Sequence, residues 1–179
     1  IEIDYFQLID QRILRALVSE ISQRTISAGE VENIIWRRRG THWFSNYQNI
    51  YEALGFAAQF ITELSKADLN MRSLVDGIQK YTATWYRLDY LYRKFIYHLR
   101  ASKQSTLLGD LNTQIEALYS NNFLLALNDN WQQQVDASEL WDASPIIGQR
   151  SFFEHFLDEY LRTKNKVAII VSDALRYEI

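Results

Sequence analysis

Apolar residues recur at alternating steps of four and three between residues 74 and 99, which constrains this chain to a packed helical structure. The series consists of Leu74, Ile78, Tyr81, Trp85, Leu88, Tyr92, Phe95 and Leu99. A repeat of 3.5 residues keeps one seam of a helix turned toward a partner helix. A second series of this spacing runs from Tyr47 to Leu64, and the short break at residues 67–70 is typical of a helical hairpin. The pattern therefore predicts two antiparallel helices within a helical bundle.

A helical pattern also precedes the hairpin. Residues 4–24 carry apolar side chains at helical spacing. Ser27 then precedes Glu30 by three residues, which is the spacing of a capping box at a helix start. We expect this second helix to end before Gly40, where glycine can adopt a positive φ at little cost.

Two further helices are expected after the hairpin. One covers residues 108–125 and should end or be interrupted at the Asn-Asp-Asn sequence of residues 128–130. The other begins at Ser151, which again has a glutamate, Glu154, three residues on.

Composition excludes several classes of protein. The 179 residues include no cysteine, which excludes disulfides, Cys-ligated zinc and thiol catalysis and fits a reducing compartment. No apolar run approaches the ~18 residues of a membrane span, so no membrane contact is expected. The net charge of −3 gives the whole chain no attraction for nucleic acid or anionic lipid. We therefore expect a cytoplasmic globular protein.

The pattern changes from residue 166 onward. Residues 167–171 form a continuous apolar run rich in β-branched side chains, typical of a strand buried on both faces of a parallel sheet. Such a strand needs ladder partners, and the remaining sequence predicts none. The chain also begins with Ile1 rather than Met. We therefore expect a piece of a longer protein: a helical bundle domain over residues 1–164 and the start of a truncated α/β domain over residues 165–179.

Asp173 follows this expected strand directly. In open α/β sheets, ligands and metals bind beyond the carboxyl ends of the strands. A carboxylate held there on a rigid strand suits a hard or borderline cation. The alternative is that Asp173 caps the N-terminus of the next helix. Spacing alone leaves both interpretations open.

The histidines predict no metal site of their own. His42, His98 and His155 lie far apart in sequence, and none forms the i, i+4 pair of a helical metal motif. We interpret each as a packed or surface residue. A zinc site complete within this chain is therefore not expected.

The terminal sequence resembles a known family. Residues 169–178, Ile-Ile-Val-Ser-Asp-Ala-Leu-Arg-Tyr-Glu, resemble the opening strand and first metal-ligand motif of the PglZ domain. PglZ is the alkaline-phosphatase-superfamily component of BREX phage-defence systems of bacteria. Residues 85–95, Trp-Tyr-Arg-Leu-Asp-Tyr-Leu-Tyr-Arg-Lys-Phe, also resemble the helical region that precedes that domain.

The resemblance implies roles for two residues of this chain. Asp173 corresponds to the first-strand aspartate that coordinates one metal, usually zinc, of a two-metal centre. Arg176 falls in the same motif and either contacts phosphate or holds the loop. The nucleophile and the other ligands lie downstream in the family, so no catalytic residue is expected within this chain, and the fragment alone should be inactive.

The resemblance also implies what the longer parent protein does. The parent is expected to be a metal-dependent phosphatase or phosphodiesterase of the alkaline phosphatase superfamily in antiviral defence. The helical part would position its catalytic domain, contact other BREX proteins or screen its substrate.

Basic residues leave a different function open. Arg37, Arg38 and Arg39 lie between Trp36 and Trp43, and such cations and aromatic rings can grip phosphates and stack on bases. Seven Lys and Arg against two Asp also give residues 70–103 a charge of +5, opposite the −8 of residues 104–160. The simpler interpretation is that the three arginines complement a helix dipole and that the basic helix packs beside the acidic segment. The alternative function is therefore a non-enzymatic helical scaffold that binds protein or DNA.

Overall fold

The computed structural model describes residues 6–140, 142–163, 166–172 and 176–178. These residues form a mainly helical structure, and none of them lies in a β-strand. The α-helices are α1 (Gln7–Gln23), α2 (Ala28–Arg38), α3 (Phe44–Lys66), α4 (Leu74–Lys80), α5 (Tyr86–Ser102), α6 (Ser105–Ala117), α7 (Leu125–Asp136) and α8 (Asp158–Arg162). Wider π-helical turns cover Tyr81–Trp85, Leu118–Leu124 and Phe153–Leu157, and a 3₁₀ turn covers Gln149–Ser151. Among the described helices, none combines the length and apolar character needed to cross a bilayer.

Helices α3 and α5 form the central hairpin, and their pairing is antiparallel. His98 near the end of α5 contacts Asn49 near the start of α3, with 2.9 Å between Nδ1 and Oδ1. At the other end, Arg87 Nε of α5 donates to Glu63 Oε1 of α3 at 2.6 Å. The two helices contribute large buried aromatic side chains to the core, including Phe60 and Phe95. The hairpin predicted from the 3.5-residue spacing is confirmed.

Helices α1 and α6 complete the core on one side of α3 and α5. Their apolar faces contribute Leu14, Leu17, Leu108, Leu111 and Ile115, all buried. These residues recur every three or four positions, so one face of each helix is removed from water while the opposite face stays polar.

Helix α2 begins and ends where its sequence predicts. The Ser27 hydroxyl accepts the backbone N–H of Glu30, and Glu30 Oε2 accepts the N–H of Ser27, so the expected capping box is present. The helix ends at Arg38, before Gly40 as expected, but Gly40 does not adopt a positive φ. The N–H and hydroxyl of Thr41 both donate to the carbonyl of Arg38, at 2.9 and 2.7 Å. This carbonyl is satisfied by Thr41, so the helix end needs no left-handed glycine.

The expected end of a helix at residues 128–130 is also wrong, because α7 continues to Asp136. The Asn130 side chain donates to the carbonyl of Leu69 at 3.1 Å, and the Gln134 side chain donates to the carbonyl of Met71 at 3.2 Å. These bonds give donors to two backbone carbonyls in the connection between α3 and α4, and they hold α7 beside it. Tertiary contacts therefore override the local tendency of asparagine and aspartate to end a helix.

The C-terminal part departs most from the sequence pattern. The Ser151 side chain caps no helix, and a π-helical turn precedes the short α8. Residues 166–172 are irregular and exposed instead of forming the expected strand. A strand is stable only when neighbouring strands bind its backbone groups, and the described residues contain no neighbour of this kind.

Gly77 lies where α4 packs closely against α7. A Cβ atom at this position would lie 2.8 Å from Met71 Sδ and 3.2 Å from Cζ3 of Trp131. We expect Gly77→Ala to lower the free energy of unfolding by about 1–3 kcal/mol, because Met71 Sδ must shift and the Trp131 ring must give way slightly. Urea denaturation checks this value.

Gly109→Ala in α6 is the matched control. A Cβ atom there would meet no described atom within 4 Å, so alanine should raise the free energy of unfolding by about 0.5–1 kcal/mol through its better helix propensity. If both variants gained stability, the close approach of α4 and α7 would be contradicted.

Candidate functional site

The terminal turn of residues 176–178 packs against the π-helical turn Tyr81–Trp85 and α5. The Arg93 guanidinium of α5 donates from Nη1 to Glu178 Oε1 at 2.7 Å. The Glu178 side chain is only 3% exposed. The Tyr177 hydroxyl donates to the backbone carbonyl of Thr82 at 3.2 Å. The end of the family-like motif is thus bound to the central hairpin of the helical structure.

Aromatic rings surround this contact. The Tyr177 ring lies 5.4 Å from the Tyr86 ring and nearly perpendicular to it, and 6.2 Å from the Tyr81 ring. Edge-to-face pairs of this kind add a modest attraction to the area that they bury. The turn is therefore held by an ion pair, a hydrogen bond and ring packing together.

Of the two site residues predicted in this motif, the structure describes Arg176 only. Asp173, the expected metal ligand, lies outside the described residues. The Arg176 side chain is largely exposed, and its Nη1 lies 4.0 Å from Glu178 Oε1. The Glu178 carboxylate thus faces two arginines, and Arg93 is the nearer.

A buried carboxylate lies beneath the docked turn. Asp89 of α5 accepts the Tyr81 hydroxyl on Oδ2 at 2.8 Å and the Tyr119 hydroxyl on Oδ1 at 2.6 Å. Both tyrosines belong to π-helical turns, Tyr81–Trp85 and Leu118–Leu124. Burial, and then the hydrogen bond to Asp89, raise the pKa of each tyrosine above its ordinary value.

Ring stacking extends this cluster toward α6. The Tyr119 ring lies parallel to the Tyr92 ring with 3.6 Å between centroids. Burial, and then a hydrogen bond with Glu116, raise the pKa of Tyr92 to about 12. These hydroxyls therefore stay protonated at neutral pH and act as hydrogen-bond donors.

The sequence did not predict that Asp89 is the shared acceptor of two tyrosine hydroxyls. The available signal was an acid between Leu88 and Leu91, two residues that bury their side chains on the same helix. An acid at a buried helical position needs donors. The donors come from turns eight residues before and thirty residues after it, and local spacing does not reveal them.

The described residues do not fit a zinc centre by themselves. No group of three or more His, Asp or Glu side chains in this part of the chain could hold a metal ion. His98 instead stacks on Phe56 with 5.5 Å between ring centroids, and burial lowers its pKa. His155 contacts the Phe156 ring and His42 contacts the Trp43 ring. Packed or surface positions for all three histidines agree with the sequence interpretation.

The structure separates the three arginines that were grouped as a nucleic-acid contact. Arg38 is buried and binds Asp10 of α1 through two bonds, Nε to Oδ1 at 3.1 Å and Nη2 to Oδ2 at 2.7 Å. Arg38 is only 4% exposed, so it offers almost no surface to a partner. Arg37 is exposed, and Arg39 is an exposed partner of Glu52 at 3.4 Å.

Trp36 is the exposed aromatic residue beside these arginines, with 71% of its surface accessible. It borders two surface grooves, of about 870 and 440 Å³. Arg37 lines the larger groove and Arg39 the smaller one, but each groove also contains acid, Glu20 in the first and Glu32 in the second. The surface around Trp36 is therefore of mixed charge rather than uniformly basic.

The fold and the docked turn define a mainly helical protein whose terminal motif is bound to its central hairpin. The chain is 27% identical over 181 residues to an alkaline phosphatase-like protein PglZ of Bacillus cereus, a match that covers 98% of this chain. It is 29% identical over 193 residues to an alkaline phosphatase-like protein BrxZ of Escherichia coli, covering 96% of this chain. The chain is thus similar over nearly its whole length to two alkaline phosphatase-like proteins, PglZ and BrxZ.

The chain spans about one fifth of the length of these curated relatives, 21% in each case. No family model matches it. No solved structure matches it. The similarity therefore covers nearly all of this chain but a small part of the proteins that it resembles.

Proposed function

We propose that this chain is the helical segment, with the opening of the catalytic domain, of a PglZ-type metal-dependent phosphatase or phosphodiesterase in bacterial phage defence. The family relationship and the alkaline phosphatase-like names of both relatives support this proposal. The helical part positions the catalytic domain and offers a surface to other BREX defence proteins.

The observation that carries the proposal is the contrast between two parts of the terminal motif. Residues 176–178 are bound to the helical hairpin, whereas the β-branched residues just before them face solvent, with Ile170 93% exposed. Soluble proteins rarely leave a continuous apolar run in water. We propose that the remaining strands of the α/β domain, encoded downstream in the longer protein, cover this run.

Within that domain, Asp173 is proposed to supply one metal ligand at the carboxyl end of the strand. Zinc sites in proteins use three or four ligands, so one carboxylate does not bind zinc tightly. Its partners and the nucleophile are proposed to lie downstream. Arg176 has an exposed side chain and follows Asp173 by three residues; it is proposed to face the phosphate group or to hold the loop.

The test uses the longer polypeptide, purified with zinc and assayed on an aryl phosphate diester. Asp173→Ala should reduce hydrolysis at least a hundredfold. Loss of a residue that only supports a metal ligand already costs about 10–100-fold, and this variant loses a metal ligand itself. Asp110→Ala, on the exposed surface of α6, is the matched control and should leave the rate unchanged. Hydrolysis that is absent, or indifferent to Asp173→Ala, would overturn the enzymatic proposal.

A second candidate function is supported by Trp36. An exposed tryptophan beside two exposed arginines favours a scaffold that binds nucleic acid or a protein partner. The Arg37→Ala/Arg39→Ala variant should then weaken a salt-dependent shift of duplex DNA, while Arg12→Ala/Arg15→Ala on α1 should not. Arg38 is left intact in this test because its loss would disturb the core. The absence of any shift at low salt would count against DNA as the partner.

A further inference from the structure

We propose that Arg93 and the backbone carbonyl of Thr82 form the docking surface that holds the Tyr177–Glu178 turn, and that Arg93 is thereby a positioning residue for the catalytic loop. The docking contacts lie within the described residues, and their persistence in the longer polypeptide is the first part of the inference. The positioning of the loop rests on the proposed function and specifies how the helical segment acts in it.

The first argument is the burial of Glu178. Glutamate is almost never fully buried without a partner, because an isolated carboxylate loses its hydration. Here the side chain is 3% exposed and lies 2.7 Å from the Arg93 guanidinium. Charge-assisted bonds of this length are about twice as strong as neutral ones. Glu178 is thus stabilised in its buried position by a residue of the helical hairpin.

The second argument is the π-helical turn on which Tyr177 sits. A π-helical turn interrupts the regular i to i−4 bonding of a helix, and such turns are frequent at functional sites. In this turn the carbonyl of Thr82 accepts the Tyr177 hydroxyl. Tyr81, at the start of the same turn, packs on the Tyr177 ring while its own hydroxyl is bound to Asp89.

This arrangement makes the docking surface rigid. Asp89 binds both Tyr81 and Tyr119, so the π-helical turn under Tyr177 is tied to the next helical layer. A rigid support is what a positioned catalytic loop needs, because small displacements of a site are costly to activity.

The third argument is the short distance along the chain. Asp173 precedes Glu178 by five residues. A chain segment extends at most about 3.6 Å per residue, so the two Cα atoms lie within roughly 18 Å of each other in any conformation. Docking Glu178 on α5 therefore limits how far Asp173 can lie from the helical hairpin.

The experiment measures hydrogen exchange of the backbone amides of residues 176–178 in the longer polypeptide. Arg93→Ala should speed their exchange about tenfold or more, because a bond to a charged group is lost. Glu178→Gln should have a similar effect, and the double variant should add little to either single one, as expected for partners of one interaction. Arg93→Lys keeps the charge and should restore much of the protection.

Arg87→Ala is the matched control. Arg87 lies on the same helix and binds Glu63 at 2.6 Å, but its partner belongs to the hairpin itself. Its replacement should leave the exchange of residues 176–178 unchanged. Equal exchange in the wild type and Arg93→Ala would overturn the docking.

Hydrolysis of the aryl phosphate diester tests the positioning separately. Arg93→Ala should lower kcat/KM about tenfold without changing the thermal midpoint of the helical part. The exchanged pair Arg93→Glu/Glu178→Arg should recover part of the lost kcat/KM. Faster exchange with an unchanged kcat/KM would overturn the positioning role. A wild type without hydrolysis would overturn the proposed function, while the exchange data would still decide the docking.

Discussion

Asp10→Ala is expected to lower the free energy of unfolding by about 3–5 kcal/mol, because it leaves the buried Arg38 guanidinium without its carboxylate. Asp10 and Arg38 are both buried and joined by two bonds, and the Tyr51 hydroxyl donates to Asp10 Oδ1 at 2.6 Å. The change therefore removes three bonds in the core between α1, α2 and α3. Urea denaturation followed by circular dichroism measures the loss.

Arg39→Ala provides the control for this prediction. Arg39 is adjacent in sequence to Arg38, but its pair with Glu52 is exposed and 3.4 Å long. Exposed pairs contribute about 0–1 kcal/mol, so this variant should stay close to the wild type. Equal losses for Asp10→Ala and Arg39→Ala would contradict the burial of the Asp10–Arg38 pair.

A double variant distinguishes a lost contact from an unpaired buried charge. Asp10→Leu/Arg38→Met removes both charges and keeps apolar volume, and such replacements are often neutral or stabilising. We expect it to be more stable than Asp10→Ala. A double variant that is less stable than Asp10→Ala would show that the charge pair itself, rather than the desolvated arginine, carries the effect.

The second large effect is expected for Asp89→Ala, which should lower the free energy of unfolding by about 2–5 kcal/mol. The change leaves the half-buried hydroxyls of Tyr81 and Tyr119 without their acceptor, and each unsatisfied group costs about 1–3 kcal/mol. Thermal and urea unfolding measure the total.

Phenylalanine variants test this cause. Tyr81→Phe and Tyr119→Phe each remove one donor and should cost about 1 kcal/mol in the wild type. In the Asp89→Ala background, the same changes should recover stability, because no hydroxyl is then left without an acceptor. Losses that simply add in the triple variant would contradict the shared cluster.

Much of the helical fold could be predicted from local patterns. The capping box of Ser27 and Glu30 and the seam that begins at Leu74 each involve residues within one or two helical turns, so the sequence carries their whole signal. The continuation of α7 past residue 130 could not be predicted, because it depends on carbonyls of Leu69 and Met71 more than sixty residues away.

The candidate site shows the same division. The motif of residues 169–178 indicated a resemblance to the PglZ family from sequence, and the similarity to PglZ and BrxZ proteins supports it. Neither the contact of Glu178 with Arg93 nor that of Tyr177 with Thr82 could be derived from spacing, since 85 and 95 residues separate the partners. Contacts of this separation depend on how α5 and the terminal turn meet in space.

The sequence alone determined the central hairpin, where α2 begins and which family the chain resembles, because periodicity, caps and motifs act over a few neighbouring residues. The tertiary structure decided the fate of individual side chains. Arg37 and Arg38 are equal in charge and adjacent, yet one faces solvent and the other is buried against Asp10. Successive residues point about 100° apart around a helix. Arg38 lies on the same buried face of α2 as Val31 and Ile35, and the position of Asp10 on α1 is what allows a charge there.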